Sequence, residues 1–156
     1  MNTTQHLAKH LRELYFGENW TCVNFKDTLA DIMWYEATTK CQEFNTITTL
    51  LFHSNYYINR VLKVLEGESL NASDEYSFDC PIISSQEEWE IFVHSALEEA
   101  ERFAQEIEKM KESKLFEVFS EEKYGNYFRN LLGIIEHAYY HLGQIVLIKK
   151  MIRYKE

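Results

Sequence analysis

Glycine and proline are scarce, with 5 and 1 among 156 residues. So few chain breakers leave little material for the many turns of a β fold, and they favour helices. Cysteine is thin as well. Cys22, Cys41 and Cys80 form an odd, widely spaced set without a CxxC pair, which argues against a disulfide framework and for reduced, partly buried thiols in a cytoplasmic protein. Basic runs are missing: 16 Lys and Arg stand against 25 Asp and Glu, a formal charge of −9. Such a surface repels phosphate backbones, so nucleic acid is not an expected partner. The opening stretch, MNTTQHLAKHLREL, has no charged-then-apolar leader pattern. The apolar runs look shorter than a membrane span, so no membrane partner is expected. Asn71 starts an NAS glycosylation triplet, which reads as a chance match without a leader.

What is present is helical periodicity in a chain long enough for one domain, 1–156. A first helix is expected over about 3–16, where Leu7, Leu11, Leu14 and Tyr15 make one stripe and Gly17 follows as a C-cap. Residues 17–36 form an aromatic-rich connection with a short helix around FKDTLADI. A second helix is expected from Thr38 to Leu65, its seam running through Cys41, Phe44, Thr48, Leu51, Asn55, Ile58, Leu62 and Leu65. Residues 66–84 are polar and read as a loop. Ser85 and Glu88 then make a capping box ahead of a third helix, with Trp89, Val93, Ala96, Ala100, Phe103, Ile107 and Met110 inward. A fourth helix is expected over about 125–153, with Lys149, Lys150, Arg153 and Lys155 near its negative pole. The fold class these elements give is all-α, a four-helix bundle with long crossover connections.

The fourth helix holds EHAYYHLGQI, in which His137 and His141 are four apart and therefore one above the other on a face. Two imidazoles so placed can lean onto one metal ion, and His53 on the apolar second helix can supply a third nitrogen. Hydrogen-bonded core histidines remain the competing reading of the same spacing. His6 and His10 share it near the frayed N-terminus, where rim packing is expected, and His94 shares a solvated face with Glu90, Glu98 and Glu101. HExxH chemistry is excluded because Ala138 follows His137 and Glu136 points about 100° away around the helix. A ferritin-like di-iron site needs ExxH pairs, and the chain has none.

LLFHSNYYINRVLKVLEG and EHAYYHLGQI resemble the second and fourth helices of the DinB/YfiT-like family, and HLRELYFGENWTCVNFKDTL and EKYGNYFRN add similar texture elsewhere. The resemblance implies a bundle that binds one divalent metal, nickel or zinc, through His53, His137 and His141. It implies a metal-dependent enzyme acting on small molecules, either an S-transferase using a low-molecular-weight thiol or a hydrolase. The alternative is a non-catalytic, stress-associated metal protein.

Three nitrogens leave coordination positions open for chemistry. Gln144, one turn past His141, and Tyr57, one turn past His53, are candidates to orient a substrate or a ligand ring, while Asn19 and Trp20 are candidates for a lid. No carboxylate falls on the ligand-bearing faces, which favours thiol transfer over peptide hydrolysis. A small-molecule substrate and a homodimer are the expected partners.

Overall fold

A computed structural model describes residues 1–154 of the chain, so Lys155 lies outside the described residues. The long helices are α1 (Thr3–Phe16), α4 (Ile47–Leu65), α5 (Gln86–Lys109) and α6 (Tyr127–Arg153), with short helices α2 (Phe25–Leu29) and α3 (Trp34–Thr38) between the first two. Among the described residues the non-helical pairing is an isolated bridge between Val118 and Asn126. The all-α bundle class therefore holds.

Local chemistry sets the helix starts. Asn2 and Gln5 exchange side-chain hydrogen bonds with each other's main-chain N–H, each 3.0 Å, at the head of α1. Thr46, Ser85 and Asn126 cap α4, α5 and α6 by accepting from an N–H three residues on. Glu88 completes its cap differently from the expected box, accepting from the N–H and hydroxyl of Ser84. α1 stops at Gly17, whose φ of 130° suits a residue without a Cβ.

The second long helix starts at Ile47, not Thr38. Thr38 and Thr39 turn their hydroxyls back onto the carbonyls of Trp34 and Tyr35, and Gln42 takes a φ of 53°. Polar and β-branched residues that bond to nearby main chain compete with a continuing helix. Cys41 is still buried, but from a loop, and Phe44 is largely exposed. The fourth helix likewise starts at Tyr127, because Gly125 has a φ of 73° and cannot belong to a helix.

The four long helices close a ring: α1 packs on α5 and α6, and α4 packs on α5 and α6. Residue pairs give their directions. Arg12 meets Glu101 and Glu108 while Thr3 meets Glu112, so α1 and α5 run oppositely. Asn55 meets Glu99 and Glu66 meets Arg102, so α4 and α5 run the same way. His53 faces His137 and His141 whereas Leu50 lies beside Gln144 and Ile148, so α4 and α6 are antiparallel. The order is up, down, down, up. Parallel neighbours such as α4 and α5 cannot be joined by a short turn, so residues 66–85 climb back along the bundle.

The expected stripe of α1 is buried, and Leu51, Ile58, Leu62, Phe103, Ile107, Leu131 and Ile145 fill the same core. Val93 and Met110 of the expected third-helix face are only partly buried. In the first connection, Phe25 is fully buried and stacks on Tyr15 at 4.5 Å. The Trp89 indole N–H donates to the Ile32 carbonyl at 2.9 Å, which ties that connection to α5.

The expectation about membrane spans needs correcting. By length and composition α6 is apolar enough to cross a membrane, because its scattered polar residues lower the average less than the individual runs suggest. Within the fold 44% of its most apolar window is buried, and the helix packs against α1 and α4.

Candidate metal centre

His53 stands midway along α4, and His137 and His141 face it across the α4–α6 contact. His53 and His141 are buried, at 7% and 6% exposure. The Nε2 atom of His137 is 3.2 Å from Nε2 of His53 and 3.0 Å from Nε2 of His141, and all three ligand atoms lie within 4.8 Å of one another. Two nitrogens bound to one ion at ~2.0–2.1 Å sit about 2.9–3.4 Å apart for angles between octahedral and tetrahedral. The two separations from His137 Nε2 have that size.

The far side of each ring decides which nitrogen is free. Nδ1 of His53 is 3.1 Å from the Ser77 carbonyl oxygen, which can only accept, so Nδ1 carries the proton and Nε2 a lone pair. Nδ1 of His141 is 2.7 Å from Oε1 of Gln144, with the same result. Both lone pairs point towards His137 Nε2. A single N–H there can satisfy one of them, so protein atoms alone leave an acceptor in this buried cluster without a donor. A cation would satisfy all three nitrogens, and the residues fit one.

Electrostatics agree. Burial pushes the His53 and His141 pKa values down. His137 falls to about 4, through burial first and then repulsion by charge on His141 and His53. All three rings are neutral at neutral pH, the form that binds metal. The ligand set has no carboxylate or thiolate, which suits a borderline divalent ion.

Aromatic rings wall the cluster. Phe78 stacks on His53 at 3.9 Å, Tyr57 sets its edge or face against His53 at 5.3 Å and His137 at 5.1 Å, and Tyr140 meets His141 at 5.0 Å. The Tyr57 hydroxyl donates to Asp74 at 2.5 Å, and burial together with that carboxylate raises its pKa.

Of the other candidates, Gln144 and Tyr57 come to the histidines, Gln144 as a hydrogen-bond partner and Tyr57 as a wall. Asn19 and Trp20 are placed elsewhere. Asn19 donates to the carbonyls of Glu13 and Val23, fastening the turn after α1, and Trp20 is wholly exposed. His6, His10 and His94 are exposed, with His94 3.1 Å from Glu98. Ser77, Phe78 and Asp74 carry no motif and were not expected at the site. The signal that could have found them is topological, because a chain returning beside α4 must cross His53.

No family model matches the chain, and no curated protein matches it either. A solved structure, the crystal structure of a conserved protein from Enterococcus faecalis, is similar at 16% identity with a TM-score of 0.71. The similarity covers 99% of each chain. At that identity it establishes a shared fold, an all-helical bundle, across the whole length. In this chain three histidines from two helices could hold a metal ion.

Proposed function

We propose that this chain is a divalent-metal enzyme of the DinB/YfiT-like type that transfers a low-molecular-weight thiol to a small electrophile. The observation that carries the reading is the convergence of three Nε2 atoms of neutral rings, two of which, His53 and His141, have their tautomers set from behind by Ser77 and Gln144. Nickel or zinc fits such donors, and as a Lewis acid either would favour the thiolate of a bound thiol, or the ionised form of water in the hydrolase alternative. His53, His137 and His141 would hold the ion. Tyr57 keeps its phenolic proton at neutral pH and is positioned to steer a substrate group beside His53 and His137. Phe78 stacks on the His53 ring and Tyr140 lies against His141. The cluster itself includes no carboxylate to act as a base, which supports transfer over peptide hydrolysis.

Three unpaired cysteines support a cytoplasmic setting. The exposed Tyr140 and Leu147 on α6 support a homodimer.

One observation favours a second reading. With His53 and His141 buried and Phe78 lying over His53, the ion would be closely covered, as in a structural pin between α4 and α6.

Elemental analysis of protein purified without chelator should find about one divalent ion per chain, lost in His53→Ala and His141→Ala. Retention by both variants removes the three-histidine assignment. Cobalt substitution then separates the roles. In a background lacking Cys22, Cys41 and Cys80, an added thiol should produce a near-ultraviolet charge-transfer band. Ester or amide hydrolysis without that band favours the hydrolase, and neither response favours the structural pin.

A further inference from the structure

On the other side of the 66–85 crossover from the histidines, a cavity of about 400 Å³ opens between α4 and α5. That is the size of small-molecule pockets. The crossover divides the two places residue by residue: Ser77 and Phe78 contact His53, whereas Tyr76 and Asp79 line the cavity.

Two half-buried charges of opposite sign, Glu99 and Arg60, share this cavity without pairing, and the solvent-exposed Asp79 also lines it. The Glu99 carboxylate accepts from Asn55 Nδ2 at 2.6 Å and from Asn59 Nδ2 at 2.8 Å, and has no basic partner. The Arg60 guanidinium lies over the Tyr56 ring, 4.8 Å from its centre, and its buried Nε has no hydrogen-bond partner. Among the described residues neither Arg60 nor Glu99 takes part in any ion pair. Glu99 of α5 is anchored across to α4 by Asn55 and Asn59, whereas Arg60 rests on Tyr56 of its own helix. Half-buried charges lacking a counter-charge cost free energy, and one molecule bearing both complementary charges would relieve both. Phe52 and Phe92 supply apolar wall beside them.

We propose that this cavity binds a small zwitterion, an aminocarboxylate with an apolar or aromatic body. Glu99 takes its ammonium group and Arg60 its carboxylate. The amides of Asn55 and Asn59 position Glu99, and the Tyr56 ring positions Arg60, so little ordering remains for the ligand to impose.

Calorimetric titration of the full chain with L-phenylalanine, phenethylammonium and 3-phenylpropionate tests this. The zwitterion should bind about tenfold or more tightly than either singly charged analogue, the worth of one charge-assisted hydrogen bond. Glu99→Gln should abolish the preference over phenylpropionate alone, and Arg60→Met the preference over phenethylammonium alone. The wild-type series decides the matter even if a variant folds poorly. No binding of any probe at millimolar concentration, or a zwitterion bound no better than its analogues, overturns the proposal. His53→Ala should bind L-phenylalanine as the wild type does, so failure of the metal reading leaves this site untouched. Loss of binding in that variant overturns a site separate from the histidines.

Discussion

Two of the three histidine rings are held from behind by different kinds of group, and that difference has consequences. Gln144 holds His141 through a side chain, whereas Ser77 reaches His53 through its main-chain carbonyl as well as its hydroxyl. Gln144→Leu should therefore weaken metal affinity by about 10–100-fold, the usual cost of losing such a partner. Ser77→Ala should cost much less, because the carbonyl remains; competition with a chromophoric chelator measures both. Equal losses would mean that the carbonyl does not set the His53 tautomer. The depressed pKa of His137 gives a second expectation, for metal-free protein. Its ordinary value is 6.5 and its folded value about 4, so below 6.5 the unfolded chain takes up a proton that the folded chain refuses. Stability is then full above pH 6.5 and is lost as pH falls towards about 4. Denaturant unfolding across this window should show the loss, and His137→Leu should make it shallower, with the part due to the lowered pKa values of His53 and His141 remaining. The pairing of His137 with His141 was legible in the sequence because helical spacing places side chains directly, whereas His53, on another helix, could be named only as a candidate third ligand. Ser77 and Asp74 were not, since nothing in a polar loop reveals which helix it will cross.

At the scale of the element, the helices were easier to find than their ends. The apolar stripe of α1 and its glycine stop were plain from Leu7 to Gly17. In the second helix, periodicity ran through Cys41 and Phe44 into chain that is not helical, because those residues match the spacing while their polar neighbours bind their own main chain. Apolar period reports burial, and Cys41 is buried without being in a helix. Gly125 marks the other misplaced boundary. With φ 73° and ψ −151° it occupies a region open almost only to glycine. Gly125→Ala should destabilise the fold by about 1–3 kcal/mol, whereas Asn126→Ala, which removes the α6 cap, should cost about 1 kcal/mol. Thermal and urea unfolding compare them. If Gly125→Ala proves neutral, the turn into α6 relaxes more readily than its backbone angles imply.

At the scale of the molecule, the candidate site bridges α4 and α6, two sides of the ring. An ion bound only by the folded chain stabilises it by mass action, about 2.7 kcal/mol at a free concentration one hundred times Kd. Zinc or nickel should raise the melting temperature of stripped protein, and a chelator should reverse the rise. His141→Ala should be insensitive to both. A wild-type melt unmoved by any divalent ion would separate the histidine cluster from metal altogether. The ring order itself was not legible, since periodicity says which faces are apolar but not which helices adjoin.

The parallel pairing of α4 with α5 reaches further. It obliges the chain to return along the bundle, and the returning segment touches both the histidines and the neighbouring cavity while adding little to the helix-to-helix packing. A single peptide-bond scission near Gly67, in a stretch exposed to solvent, would leave every helix its partners and give a two-piece protein. Its halves would hold together through α1–α5 and α4–α6 contacts, but the segment carrying Ser77 would be fastened at one end only. Chain continuity at that point thus matters less to the architecture than to the orientation of one imidazole.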